Sequence, residues 1–476
     1  MRTLVWFRGK DLRLSDHEPL ASARKSEEVV PLFVLDPYFF APERAKETPH
    51  RIQFLLESLV ALKKNIAHLG SELVVVKGKS VDVVPILAKR WRVDRVVGQR
   101  WVAPFARERD RRVTESLEVP FELFDGETLR PPGTLRTGKD EPYSVFTAFA
   151  RAFKKAGEIG HPIRAPKHLP PLPFDIRTRS VAIPSCEELG FEPNPNIQRG
   201  GERAARDRLE RFLSKAASEY ATDRDRMDLS GTSRLSADLK FGTLSPRTVW
   251  HAVERRLKSK SPASLGSYHN ELVWREFTHS TLWDRPELLE EPFHQEWKGF
   301  PYEYDEAHWN AWVKGTTGYP IVDASARQLL GEGFVHNRAR MISASFLTKH
   351  LLIDYRRGEA HYMRYLTDGD WAQNNAGWQW SAGCGCDAQP YFRVFNPVLQ
   401  GEKFDPTGAY VRRWVPELAD VPDKYIHRPW DAPEDVLEKA GVVLDGNYPS
   451  PIVNHTEGRD RFLRVASEHL GRSRGH

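Results

Sequence analysis

RIQFLLESLVALKKNIAHLGSELVVVKG, residues 51–78, joins two periodicities in one stretch. Ile52, Leu55, Leu56, Leu59, Leu62, Ile66 and Leu69 recur at helical spacing and Gly70 supplies the stop, so residues 51–69 read as an amphipathic helix. The run that follows, ELVVVKG, is short, apolar and bounded by polar residues and glycine, the pattern of a buried strand. The same alternation extends on both sides, with TLVWF, VVPLFVLD, DRVVGQ and FELFDG as further strands between amphipathic stretches. Strands alternating with helices make a doubly wound parallel sheet with helices on both faces, so residues 1–130 read as an α/β domain.

That sheet has no G-x-G-x-x-G and no Walker A pattern, and its first turn, Phe7 to Asp11, lacks the glycines that cradle phosphates. A dinucleotide would therefore bind elsewhere in the chain. Eleven prolines fall between Pro131 and Pro195, too many for regular structure, so residues 131–200 read as an extended connector holding one helix, SVFTAFARAFKKAG. Beyond residue 200 strand-like runs vanish and helix starts take over, as at Ser245-Pro246, where serine can cap and proline sits at the first helical position. Residues 201–476 thus read as a large all-α domain. There is no internal repeat and no low-complexity tract.

With 476 residues, 40% of them hydrophobic, the chain can bury a large core. Its longest apolar runs are far too short to cross a bilayer, and the N-terminus lacks the small-residue cleavage site of a signal peptide, which predicts a cytoplasmic protein. Three cysteines, Cys186, Cys384 and Cys386, give neither a disulfide framework nor metal-ligand spacing, so they read as structural and no metal site is expected. The net charge of +5 hides a basic stretch from Arg90 to Arg112, eight arginines against three acids, a pattern more often a solvated helix face than a binding site.

Chemistry concentrates in the second half. In DGDWAQNNAGWQW, Asp370, Asn374 and Trp378 stand at i, i+4 and i+8, one helix face that sets polar groups beside an aromatic plate. Asparagine both donates and accepts, which suits the edge of an isoalloxazine or a base; a core helix with satisfied amides is the plainer reading. In GTSRLSADLKFGTLS, Thr232, Ser233 and Ser236 could surround a phosphate or merely cap a helix. Glu271, Trp274 and Arg275 in NELVWREF put an acid, an indole and a guanidinium on one face, and Asn337, Arg340 and Met341 in HNRARM do likewise. A flipped base pair would ask for that trio, although an ion pair packed on a core tryptophan also produces it.

Together with FRGKDLRLSDHEPL, TGYPIVDA and FRVFNPVLQGEKFD, these stretches resemble the photolyase/cryptochrome family along nearly the whole chain, most closely the class I cyclobutane pyrimidine dimer photolyases. The resemblance implies FAD in the helical domain, with Tyr220, Thr232, Ser233, Leu235 and Ser236 near its ribityl and phosphate groups. Asn337, Arg340, Asp368, Asp370 and Asn374 would meet the flavin ring, Arg340 pairing with Asp368 and Asn374 facing N5. It further implies light-driven repair of cyclobutane dimers in DNA by an electron from excited, reduced anionic FAD, in a monomer with no obligate protein partner. Glu271 would bond the dimer, Trp274 and Trp380 would wall it, and Asn337, Arg275 and Arg338 would contact DNA. Histidines mark the (6-4) photolyases where this chain has Asn337 to Met341, and Met341 is the class I residue. The retained Glu271 argues against a cryptochrome-type photoreceptor.

Two departures from the family pattern stand out. Trp378 matches the first tryptophan of the photoreduction chain, but the next two positions are Tyr355 and Tyr302, so Trp371, with Trp309 as a further candidate, is the expected detour. Arg51 and Lys240 resemble positions that hold an antenna pigment, while the stretch Arg100 to Pro104 lacks the expected acids and Trp101 partly fills the space. An 8-hydroxy-5-deazaflavin, a 5,10-methenyltetrahydrofolate or no pigment at all are the alternatives.

Overall fold

The computed structural model describes residues 1–176 and 180–473. By backbone proximity the chain forms two compact units. One comprises Met1–Ala221, Ser233–Pro286 and Thr367–Ala372, the other Thr222–Thr232, Glu287–Leu366 and Gln373–His476.

The first unit holds a five-stranded sheet of β1 (Arg2–Phe7), β2 (Glu28–Leu35), β3 (Val74–Lys77), β4 (Arg95–Gln99) and β5 (Phe121–Phe124), ordered β3-β2-β1-β4-β5 with every pairing parallel. All five runs read as strands from the sequence are strands. In β1, Leu4 and Trp6 enter one hydrophobic cluster and Val5 and Phe7 another, because alternate side chains point to opposite faces. Both faces are covered, which explains the continuous apolar character of the run. The winding reverses at β1, and in such sheets a crevice opens outside the carboxyl ends of the strands flanking the reversal, here β1 and β4.

Helix α1 (Pro49–His68) lays Ile52, Leu55, Leu56, Leu59, Leu62 and Ile66 into the cluster that contains Val5 and Phe7. It starts two residues before the periodic pattern does, since proline needs no N–H in the first turn. Helix α2 (Phe146–Lys155) is the single long helix expected in the proline-rich stretch. Helix α3 (Pro262–Asp284) completes the long helices of this unit that carry functional residues. From Glu202 onward the described residues form helices, with only an isolated bridge between Leu444 and Tyr448. Ser245 caps its helix by accepting from the Thr248 N–H at 3.0 Å, as its sequence position predicted.

The second unit is built around buried Trp312, Phe346, Tyr362, Trp378 and Tyr448. Its helices that matter below are α4 (Glu306–Lys314), α5 (Asn337–Ser345) and α6 (Tyr355–Tyr365). Helix α7 (Trp371–Ala382) contributes its first two residues to the first unit and the remainder to the second. Among the described residues no helix is long and apolar enough to cross a membrane.

Candidate active site

Helix α7 begins where it does because Asp370 caps it, Oδ1 accepting from the Ala372 N–H at 3.1 Å. The other oxygen, Oδ2, takes the Lys10 ammonium at 2.7 Å, and the same ammonium is bonded to Glu127. His279 of α3 presents Nε2 at 3.4 Å from Glu127 Oε1 and 3.6 Å from Asp370 Oδ1. Its Nδ1 lies 2.8 Å from the Arg275 carbonyl, which can only accept, so Nδ1 carries a hydrogen. All four side chains are buried. Burial pushes both carboxyls up, but Lys10 and His279 outweigh it, holding Glu127 down at about 2 and Asp370 below the usual carboxylate range. Burial likewise opposes the Lys10 charge, and the two carboxylates more than offset it. Glu127, His279 and Asp370 have the spacing of metal ligands, with the positive charge among them supplied by Lys10. Asp370, expected against the flavin ring, is bonded to Lys10 and to the start of α7.

On α3, Glu271, Trp274 and Arg275 do not act as one face. Arg275 is buried and donates from Nη1 to the Glu127 carbonyl at 2.7 Å, so the expectation that it binds backbone phosphate is corrected: it ties α3 to the chain leaving β5. Trp274 is half-buried, and one face of its indole is covered by Phe146, the first residue of α2, with centroids 3.7 Å apart and planes 6° from parallel. Phe146 also meets Phe277 at 6.0 Å, which places it on the core side of the indole. Sequence reasoning missed Phe146, although Phe146, Phe149 and Phe153 at helical spacing were a legible apolar stripe. Arg338, the other basic residue expected on DNA, pairs with Asp225 at 2.9 Å and lies 4.3 Å over the Phe404 ring. Asn337 is exposed as the first residue of α5, its amide nitrogen 3.7 Å from the Met341 sulfur. Trp380 is half-buried.

Within the second unit Asn374 is buried, and its Nδ2 donates to the Glu359 backbone carbonyl at 3.0 Å. Fixing the nitrogen this way leaves the carbonyl end of the amide as the part that can meet a ring N–H. The neighbouring Asn375 donates to both Glu359 carboxyl oxygens at 3.2 Å and to the Leu288 carbonyl at 2.8 Å. Burial raises the Glu359 carboxyl to about 8. Trp378 is seated by an absence: a Cβ on Gly358 of α6 would overlap its indole. Its ring meets Tyr362 edge-on at 5.1 Å and Trp312 at 6.0 Å, and Trp312 stacks on the half-buried Trp309 at 5.5 Å with 27° between planes.

Tyr355 and Tyr302 stand where the family resemblance expects the later hopping residues. Burial pushes the phenols of Tyr355 and Tyr302 above their ordinary value, and the Tyr355 hydroxyl has no partner among the described residues. Trp371 packs in the first unit on Trp101, Ala103 and Ala106, whereas the tryptophan neighbour of Trp378 is Trp312. Trp309, the further candidate, reaches Trp378 through Trp312 within the second unit.

The remaining predicted cofactor residues fall in both units, with Thr232, Asn337, Arg340 and Asn374 in the second and the others in the first. Tyr268 brings two of them together, its hydroxyl 3.0 Å from Ser233 Oγ and its ring 5.0 Å from Tyr220. Leu235 is buried ahead of Ser236, which opens a short helix, and Arg234 takes a left-handed turn at φ 52°. Arg340 anchors its Nε on the Val335 carbonyl at 2.8 Å, and Asp368 is buried. Hydroxyls on a tight turn, an oriented amide and a buried carboxylate are donors and acceptors that suit FAD. At the carboxyl ends of β1 and β4, Trp101 lies 4.8 Å from the Arg109 guanidinium and 5.6 Å from that of Arg8. Arg51, which burial pushes down to about 10, and Lys240, pushed well below its ordinary value, add cationic groups to this unit.

Residues 3–170 match the family model for DNA photolyase, and residues 268–468 that for the FAD binding domain of DNA photolyase. The chain is 39% identical to a deoxyribodipyrimidine photo-lyase of Agrobacterium fabrum over 97% of its own length and 96% of that protein, and 40% identical to the one of Escherichia coli over 97% of each. Its fold superposes on a bacterial class III photolyase from Agrobacterium tumefaciens with a TM-score of 0.91 at 38% identity, covering 98% and 97% of the two chains. A Synechocystis cryptochrome follows at 0.89 and 32%, covering 98% and 99%. This chain belongs to the DNA photolyase family and carries its FAD-binding domain.

Two stability predictions follow from the buried charges. Lys10→Met leaves two carboxylates buried beside one histidine, and urea melts are expected to show a loss of about 3–5 kcal/mol, as for other broken buried ion pairs. Glu359, with its folded value raised from 4.5 to about 8, contributes stability that is complete below 4.5 and lost as pH rises through 8. Glu359→Gln keeps an acceptor for Asn375 and removes the titration, so its melting temperature should exceed that of the parent at pH 8 and vary less between pH 5 and 8; parallel curves would contradict it.

Proposed function

We propose that this protein is a cytoplasmic, monomeric, light-driven deoxyribodipyrimidine photo-lyase that splits cyclobutane pyrimidine dimers in DNA. The observation that carries the reading is the outward pair on α3, Trp274 backed by Phe146 and Glu271 one turn earlier, in a chain that keeps its FAD-binding domain. When bound, reduced anionic FAD supplies after absorbing light the electron that opens the cyclobutane ring, and takes it back once the pyrimidines separate. Trp274 offers a flat face already held in place, so stacking a flipped base on it costs little ordering. Glu271 hydrogen-bonds the dimer and stabilises the charge that develops on it. Trp380 is a second stacking residue for the dimer, Met341 a lesion-contacting residue, and Asn337 a DNA contact. With FAD bound, Asn374 would offer its carbonyl to flavin N5, and Tyr220, Thr232, Ser233, Leu235 and Ser236 would hold the rest of the cofactor. Arg51 and Lys240 are the residues that would meet an antenna pigment, and an anionic one would restore the charge that burial disfavours on both.

Electrons for the oxidised cofactor come along Trp378, Trp312 and Trp309, whose rings touch in series and end at a half-buried residue. A blue-light receptor function is the second reading, favoured by the similarity to a Synechocystis cryptochrome.

Reduced protein mixed with ultraviolet-treated oligothymidine under blue light should restore thymine absorbance, and no recovery above a dark control would favour the receptor reading. Glu271→Ala should lower repair yield more than dimer affinity, because its bond strengthens in the transition state. For electron supply, Trp312→Phe and Trp378→Phe should each suppress photoreduction of the oxidised cofactor while leaving repair by chemically reduced enzyme intact. Tyr355→Phe should have a small effect; a larger loss from it than from Trp312→Phe would return the electron to the tyrosine positions.

A further inference from the structure

His361 of α6 stands against both outer members of that tryptophan series. Its ring centroid is 5.5 Å from Trp312 at 62° and 5.8 Å from Trp309 at 80°, edge contacts in each case. Its third ring contact is Tyr365, at 5.0 Å. Nε2 is buried and has no hydrogen-bond partner among the described residues. Buried polar groups in folded proteins are nearly always bonded, so one left open beside two redox-active rings calls for an explanation.

The charged groups nearby are Arg364 on the same helix and Arg357, whose guanidinium lies 4.3 Å over the Trp309 ring and pairs with Glu306 at 2.9 Å. Burial, assisted by Arg364, lowers His361 to about 4, so at neutral pH the imidazole is uncharged and can accept a proton. An indole that loses an electron becomes a strong N–H acid. The fate of that proton sets the lifetime of the separated charge, since a cation can take an electron straight back whereas a neutral radical must recover a proton as well. The Trp312 N–H points to the Ser343 carbonyl at 3.3 Å, and a carbonyl can share a proton but not keep it. At Trp309 the Arg357 guanidinium disfavours a second positive charge on the same ring, which promotes discharge by proton loss.

We propose that His361 is the base that takes the indole proton of oxidised Trp309 and so traps the hole at the outer end of the series. The proposal rests on the route through Trp312. With oxidised FAD bound, light would draw an electron from Trp378, Trp312 would refill Trp378, and Trp309 would refill Trp312. The N–H bond of Trp309 then breaks, its proton forms a bond to Nε2, and a neutral tryptophanyl radical faces an imidazolium. An external thiol returns a hydrogen atom to the indole, leaving a thiyl radical, and the imidazolium gives its proton to solvent.

The test is flash transient absorption of the holoenzyme with oxidised FAD, in which cation and neutral tryptophanyl radicals absorb at different wavelengths. In the parent, conversion of cation to neutral radical should be slower in deuterated buffer. His361→Phe should slow it at least tenfold and shorten the charge-separated lifetime, and His361→Gln, similar in polarity but no base, should do the same. His361→Ala should regain speed when imidazole is added, which a purely structural role would not produce. Unchanged conversion in His361→Gln, with the neutral radical lost in Trp309→Phe, would overturn the role of His361 while the route stands. An unchanged radical in Trp309→Phe would overturn the route itself, and the proposal with it.

Discussion

The first unit is organised by a charge that cannot be buried alone. Lys10 follows β1, Glu127 follows β5, His279 lies on α3 and Asp370 opens α7, and each is buried because the others are. A single ammonium or carboxylate at such depth would cost several kcal/mol and would neutralise itself instead. Meeting as a group, they fix four distant pieces of chain in one register. The register of α3 follows directly. With His279, Glu276, Arg275 and Leu272 turned inward, Trp274 is carried roughly 140° around the helix from His279 and faces the other way. Glu276 adds to the hold by accepting from the N–H groups of Leu129 and Arg130 at 2.9 and 3.1 Å.

This geometry accounts for what could and could not be read beforehand. The strands were legible because both faces of the sheet are covered, which leaves short apolar runs bounded by turns, and α1 was legible from its single buried stripe. The tie of Asp370 to Lys10 was not legible because the two lie some 360 residues apart in sequence, and a carboxylate next to aromatic residues looks the same whether it faces a ligand or an ammonium. Arg275 was misread because residues three and four apart on a helix share a face only broadly; between Trp274 and Arg275 runs the line dividing surface from core. Phe146 sits in a stretch whose prolines drew attention away from its aromatic stripe. Trp312 and Trp309 were visible as tryptophans, but only their packing in the second unit makes them neighbours of Trp378.

In the proposed route electron supply depends on where protons can go as much as on where rings lie. A tyrosine can carry a hole only if its phenol sheds a proton on oxidation, and the Tyr355 hydroxyl, buried and with no acceptor among the described residues, has nowhere to send one. Tryptophan is less demanding, because its oxidised ring can persist as a cation while the hole moves on. In the proposed route that asymmetry would let photoreduction continue with tyrosines at the positions the family resemblance gives to tryptophan, because another indole touches Trp378. Gly358 secures that condition, since any side chain there would displace the indole from its edge contact with Trp312. In the proposed reading, the face of α3 that would meet the lesion is set by the ion cluster of the first unit and the hopping series is contained in the second, so the residues that would set substrate preference and those that would set cofactor reduction can change independently.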